Sequence, residues 1–180
     1  MAEKDFQKAL AAGMRWAPGA HYFKIPDLPV AQLQAAGLKI GSSKKPYDCY
    51  ILHNCLFYAL ELKQTRSLSL GGGEIRDHQE AYLLQVEAAG GVGLVVVNFN
   101  LVLSAAQQKK RGQTALDVAY GAPMSMVAAA RSALGRDSIP LEWWETHGWP
   151  LERRIIRTNA AWDPNPLLAS AREWRMRTPL

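Results

Sequence analysis

The chain has 180 residues, 48% of them hydrophobic, enough for one domain with a real core and too few to favour two. Its formal net charge of +5 and pI near 9.3 favour a polyanionic partner. The first ten residues carry Glu3, Lys4, Asp5 and Lys8 rather than an apolar leader, and the most apolar run, 92–104, is broken by Asn98 and Asn100, so a cytoplasmic protein without a membrane partner is expected.

Residues 2–12 predict a helix with Glu3, Phe6 and Leu10 on one face and Gly13 at its end. An acid on that face is either a helix-start glutamate favoured by the macrodipole or an acid aimed inward. Residues 21–27 read as a short extended segment ended by a proline. A short helix is expected at 30–36. The polar loop 41–45, GSSKK, carries Lys44 and Lys45, which are either solvated or phosphate contacts.

Residues 46–63, PYDCYILHNCLFYALELK, predict a β-hairpin. With Asn54 and Cys55 as a two-residue turn, His53 faces Leu56, Tyr50 faces Ala59, and Asp48 faces Glu61. Directly opposed residues have Cβ atoms about 5 Å apart, and like charges so placed destabilise the ladder. A divalent cation offsets that repulsion, and oxygen-rich Asp and Glu sites suit Mg²⁺. Lys63, two residues beyond Glu61, points to the same face. Cys55 stands where a type I′ turn prefers glycine, which implies strain or a longer turn. Cys49 and Cys55 do not oppose each other, so reduced thiols are expected, and no Cys/His spacing suggests zinc.

The segment after Lys63, QTRSLSLGGGE, reads as a flexible loop in which Thr65, Arg66 and Ser67 are candidate phosphate contacts. Its glycines lack the lysine and hydroxyl ending of a Walker loop. Residues 75–89 predict a helix whose apolar stripe, Ile75, Tyr82, Val86 and Ala89, encloses Gln79. That glutamine is either a satisfied core amide or a group reaching Asp48 and Glu61. Residues 92–99 read as a central strand covered on both faces, with 101–105 as a paired neighbour. The element order implies an α/β layer with a mixed sheet. Beyond Gln107 follow the basic run Lys109, Lys110 and Arg111, short helices at 114–120 and 124–134, and three tryptophans within 140–150 that suit packing better than base stacking. A basic strand or turn at 151–159 and a helix at 167–176 complete one domain, with a core over about 1–106 and a basic, Trp-rich extension over 107–180.

An Asp, a Glu thirteen residues later across a turn, and Glu-x-Lys on a strand make a layout for Mg²⁺-dependent phosphodiester hydrolysis. The carboxylates and a main-chain carbonyl, that of Leu62, would hold one or two ions, and the metal would acidify a bound water. Lys63 would orient that water or stabilise the charged transition state.

Asp48 with Glu61-Leu62-Lys63 resembles the active-site signature of the PD-(D/E)xK nuclease superfamily. YFKIPD, PYDCYILHNCLFYALELKQTRS, IRDHQEAYL and AGGVGLVVVNF, in this order and spacing, resemble the RecU/Hjc-type Holliday junction resolvases over about residues 1–105. IPLEWWETHGWPLERR is similar to the tail of such proteins. The resemblance implies a restriction-endonuclease-like core with a central mixed sheet flanked by helices. It also implies a homodimer that cuts four-way DNA junctions by paired symmetric incisions in recombination and repair, leaving 5′-phosphates, with Mg²⁺ or Mn²⁺ as cofactor. By position, Glu3 matches the first-helix acid (a metal contact through water), Asp48 and Glu61 the metal ligands, Lys63 the motif lysine, and Gln79 the helix glutamine beside the active site. The DNA contacts implied alongside them are Lys24, Lys44, Lys45, Thr65, Arg66, Ser67 and Arg76. Cys55 in place of the turn glycine, and the run Gly71 to Gly73, depart from the family pattern. Two other readings are a repair or restriction nuclease of the same superfamily and a DNA-binding protein without activity. The intact Asp48, Glu61 and Lys63 argue against the last.

Overall fold

The computed structural model describes residues 3–26 and 45–178, Glu3 by its backbone only. The helix expected at 30–36 and the loop segment 41–44, with Lys44, lie outside the described residues. The chain opens with α1 (Glu3–Gly13), a 3₁₀ turn and the edge strand β1 (His21–Lys24). The expected hairpin is β2 (Cys49–His53) and β3 (Leu56–Thr65), followed by β4 (Ser69–Leu70), α2 (Asp77–Ala88) and β5 (Val92–Val102). Then come α3 (Ala105–Arg111), β6 (Ala115–Pro123), α4 (Met124–Leu134) and β7 (Ile139–Pro140). The last elements are α5 (Leu141–His147), β8 (Trp149–Ile156), β9 (Asn159–Asp163) and α6 (Asn165–Arg177).

Seven strands form one mixed sheet in the order β1-β2-β3-β5-β6-β8-β9, while β4 pairs with β7 apart from it. Among the described residues only β3 and β5 run parallel, and the connection between them carries α2, the crossover a parallel pair needs. The fold is α/β, a central mixed sheet flanked by helices, as the sequence predicts. Among the described residues no helix is long and apolar enough to cross a membrane.

The period of two along a strand sorts β3 and β5 onto two cores. Leu60, Leu62, Leu94 and Val96 pack on one face with Phe6 and Leu10 of α1, Trp162 of β9 and Leu167 of α6. Ala59, Val95, Val97 and Phe99 pack on the other with Leu83 of α2, Val127 of α4 and Trp144 of α5. Each fully buried Leu or Val contributes about 1.5–3 kcal/mol, so both faces anchor these two strands. Glu61 and Lys63 fall on the same face as Ala59.

Several expectations are corrected. Gly13 does end α1, but in right-handed helical backbone, φ −72° and ψ −18°, rather than as a left-handed cap. It is glycine for a different reason: a Cβ there would lie 1.7 Å from the Trp162 carbonyl oxygen, so α1 meets β9 backbone to backbone. Ile75 is buried but extended, ahead of α2. Counting a stripe from Ile75 therefore misplaces it: Leu83 and Glu87 are buried, while Tyr82 is exposed. Residues 101–105 are no separate strand, because β5 continues to Val102 and Ala105 opens α3. Residues 114–120 are not a helix: from Ala115 on they belong to β6, which pairs with β5 along its whole length, and that pairing overrides local propensity. The segment after Lys63 is more ordered than a flexible loop. β3 continues to Thr65, β4 pairs with β7, and a Cβ on Gly72 would lie 2.3 Å from that of Asp137. The sheet does not stop near residue 106: β6, β8 and β9 extend it, and Trp144 and Trp162 are fully packed in the two cores.

Candidate active site

Asn54 and Cys55 both have positive φ, 51° and 60°, as a type I′ turn requires. The turn keeps two residues, and Cys55 holds the left-handed backbone that glycine would adopt without strain. The register follows as predicted, with His53 opposite Leu56 and Tyr50 opposite Ala59. Both cysteines are free thiols.

The regular pairing ends at Cys49 and Leu60, one pair short of Asp48 and Glu61. The Asp48 N–H donates to the Leu60 carbonyl at 3.1 Å. Its carboxylate oxygen Oδ2 accepts from the Leu62 N–H at 2.9 Å, in the place of a further backbone acceptor from β2. A residue in a strand directs its N–H and C=O to the same side. The Leu62 carbonyl therefore projects to the β2 side as well, beyond the last ladder pair.

Glu61 is only 1% exposed. Its Oε1 accepts from Lys63 Nζ at 2.7 Å and from Gln79 Nε2 at 2.5 Å. Lys63 is itself 7% exposed, so this is a buried ion pair. Gln79 is aimed by its other end: Oε1 accepts from the Arg76 N–H at 3.0 Å, which closes the first turn of α2. Of the two readings of this glutamine, the structure shows the one that reaches the acidic patch. Val95 and Val97 of β5 stand opposite Glu61 and Lys63 in the parallel ladder and wall that side with apolar surface. Lys45 Nζ lies 3.9 Å from Asp48 Oδ1.

The other predicted residues scatter more widely. Lys24 is exposed on the edge strand β1. Arg66, Ser67 and Arg76 are exposed. Thr65 is buried, and its hydroxyl donates to the Ser69 carbonyl at 3.2 Å and accepts from the Ser67 N–H at 3.1 Å, so it braces the turn from β3 to β4. The Glu3 side chain lies outside the described residues. Cys49 faces the core that contains Phe6 rather than the acidic patch, and burial pushes its thiol well above the ordinary range.

Two polar features escaped the sequence reading. Asn98 is fully buried, and its amide donates to Asp117 Oδ1 at 3.1 Å, as does that of Asn100 at 2.9 Å. Arg153 Nε completes the cluster on Asp117 Oδ2 at 2.7 Å. Two asparagines two residues apart within an apolar run were the available signal. Glu87 is buried too, and accepts from the Ser125 N–H in the first turn of α4 at 3.3 Å. Burial raises its carboxyl above the ordinary range.

Among the described residues no three His, Cys, Asp or Glu side chains gather as a metal site. Asp48, just ahead of β2, binds the N–H of Leu62, the residue that follows Glu61 on β3, so the oxygen donors offered here are two carboxylates and the Leu62 carbonyl. That all-oxygen donor set is of the kind Mg²⁺ accepts.

No protein-family model matches this chain, and no curated protein matches it. Among solved structures it is similar to Hjc of Archaeoglobus fulgidus, a Holliday junction resolvase from an archaeal hyperthermophile. The match covers 68% of this chain and 78% of that one, at 16% identity and a TM-score of 0.41, which is a weak and partial likeness of fold.

Proposed function

We propose that this protein is a metal-dependent DNA endonuclease that hydrolyses phosphodiester bonds at Asp48, Glu61, Lys63 and Gln79. Its substrate in this reading is the four-way junction, cut symmetrically by a homodimer. One observation carries the chemistry: a buried glutamate is held by a lysine and a glutamine, beside an aspartate fixed on the backbone of the same strand. Burying a carboxylate costs several kcal/mol unless it is well paired. A chain that fixes one acid on Leu62 and buries the neighbouring acid, Glu61, against a lysine and a glutamine is arranging donors for a reaction. The junction and the homodimer rest on the sequence resemblance described above.

Asp48, Glu61 and the Leu62 carbonyl would hold Mg²⁺, with Glu3 as the further acid that the resemblance adds. When bound, the metal supplies an acidified water and charge screening at the phosphate. The chain's own residues do the rest. The Leu62 N–H fixes the rotamer of Asp48. Gln79 fixes Glu61, and is fixed in turn by Arg76. Lys63 brings positive charge to the phosphate as negative charge develops on it. Lys24, Arg66 and Arg76, together with the net charge of +5, supply phosphate affinity along the substrate.

The test is cleavage with Mg²⁺ or Mn²⁺ of a four-way junction, a linear duplex and a single strand in parallel. Paired symmetric nicks in the junction alone support the whole reading. Equal cutting of the linear duplex would sink the junction assignment but not the nuclease. No cutting of any DNA would sink both. Asp48→Asn and Glu61→Gln should each abolish cleavage while DNA binding persists. A variant that still cuts at the wild-type rate would show that the site lies elsewhere.

A further inference from the structure

The hairpin carries a second feature on the face that holds Glu61. Phe23 stands directly opposite Tyr50 across β1 and β2, and their rings stack with centroids 5.3 Å apart and planes at 27°. Tyr50 stands opposite Ala59, whose small side chain leaves room for Phe57 on the diagonal, again with centroids 5.3 Å apart. Tyr47 meets Phe57 edge-on at 6.4 Å. By strand alternation Phe23, Tyr50, Leu52, Phe57, Ala59 and Glu61 share one face. The outer end of the row is open: Phe23 is 51% exposed and Leu52 45%. Packing within the fold does not require a ring stack left half in water, and an exposed apolar patch of this kind marks a binding surface.

We propose that this row is a stacking platform for unpaired DNA bases next to the scissile phosphate. The inference rests on the nuclease reading and adds to it what the enzyme grips beyond the phosphates. Three observations select bases as the occupant. The surface is made of flat rings, and every base offers a π-face to such a ring whatever its sequence. The chain is basic, and exposed Lys24 follows Phe23 on the edge strand, which suits a polyanion. The row also runs into the catalytic strand. Phe57 is four residues before Glu61 and Ala59 two, roughly 7–13 Å along β3 at about 3.3 Å per residue. At about 3.4 Å per stacked nucleotide, that places the rings about two to four nucleotides from the reacting phosphate. Continuous duplex buries its base faces in its own stack, so the platform favours DNA that opens near the cut.

The experiment measures binding by an Asp48→Asn background protein, which leaves the DNA intact, and by its Phe23→Ala and Phe23→Trp derivatives. The probes are a four-way junction, a duplex with an unpaired arm and a linear duplex, each with 2-aminopurine placed two to four nucleotides from the cut. Phe23→Ala should weaken binding of the two open substrates by roughly 5- to 150-fold, the worth of one stacked base, and leave the linear duplex unchanged. It should also abolish the quenching of 2-aminopurine, and Phe23→Trp should restore both. Because Phe23 is half exposed, its truncation leaves the core intact, which circular dichroism would verify. Equal affinity of wild type and Phe23→Ala for open DNA would overturn the proposal. So would a fall in molecular mass on Phe23→Ala, which would mean that a second copy covers the row. Mg²⁺-dependent cutting by the protein with Asp48 intact is scored separately, so loss of the nuclease reading is distinguishable from loss of the platform.

Discussion

Replacing Lys63 by methionine tests the electrostatics of the site directly. Methionine keeps most of the aliphatic stem and removes the charge. In the native protein Lys63 Nζ lies 2.7 Å from Glu61 Oε1, with the lysine 7% and the glutamate 1% exposed. Removing one partner of so buried a pair costs about 3–5 kcal/mol, chiefly because the other charge loses its compensation. In a domain of this size about 1 kcal/mol moves Tm by roughly 2–4 °C, so Lys63→Met should melt about 6–20 °C lower. Adding Glu61→Gln removes the buried charge, keeps an oxygen for Gln79 to donate to, and should recover most of the loss. The double variant separates the lost charge pairing from lost packing. Thermal unfolding of the two single variants and the double gives the coupling energy. A Lys63→Met protein melting within about 2 °C of wild type, or a double variant as unstable as the single, would refute the reasoning.

Three further outcomes follow from the packing. Burial raises the Glu87 carboxyl, so the native state holds that proton more tightly than the unfolded chain, and the stabilisation it brings is lost as pH rises through the folded value. Glu87→Gln should therefore flatten that fall in urea unfolding between pH 4 and 8 and be the more stable protein at the upper end; an unchanged slope would contradict this. Gly13→Ala would ordinarily favour a helix by roughly 0.5–1 kcal/mol. Here the new Cβ meets the Trp162 carbonyl oxygen at 1.7 Å, so calorimetry should find a loss of about 1–3 kcal/mol or more instead. A thiol reagent should modify exposed Cys55 promptly and buried Cys49 only on unfolding, giving one reactive thiol in the native protein and two in denaturant.

The parts of this molecule that were legible in the sequence are those governed by local rules. Alternation along 49–63 and a two-residue turn were enough to set the register from His53 opposite Leu56 to Cys49 opposite Leu60, but not to foresee that the ladder stops before Asp48 and Glu61. A glutamine among apolar helix positions was enough to suspect Gln79. The parts that were not legible depend on partners distant in the chain. Residues 115–123 become a strand because β5 offers them a ladder. Leu83 rather than Tyr82 turns inward because β5 and α2 approach so closely that a Cβ on Gly93 would lie 2.3 Å from the Leu83 carbonyl oxygen. Gly72 looks like part of a flexible loop until Asp137 is placed beside it, and that position 13 must be glycine shows only once Trp162 lies against it. Composition suggested an appended C-terminal segment, yet β8, which carries Arg153 and Arg154, joins the sheet by pairing with β6 on one side and β9 on the other.

The opposition of Asp48 and Glu61 is resolved by where the ladder ends. Continued pairing would set the two acids face to face; the structure stops at Cys49 and gives the Asp48 carboxylate to the Leu62 N–H. The same interruption leaves the Leu62 carbonyl directed past the end of β2, so one event supplies both an oriented acid and a backbone oxygen beside Glu61. That arrangement depends wholly on register. A slip of one residue at Asn54-Cys55 would turn Glu61 and Lys63 onto the face packed by Phe6 and Leu10 and expel Leu60 and Leu62 from it. Two charges buried in an apolar core cost far more than one strained cysteine in a left-handed turn. The core therefore holds the register that the turn sequence only weakly encodes, and in doing so it holds the site.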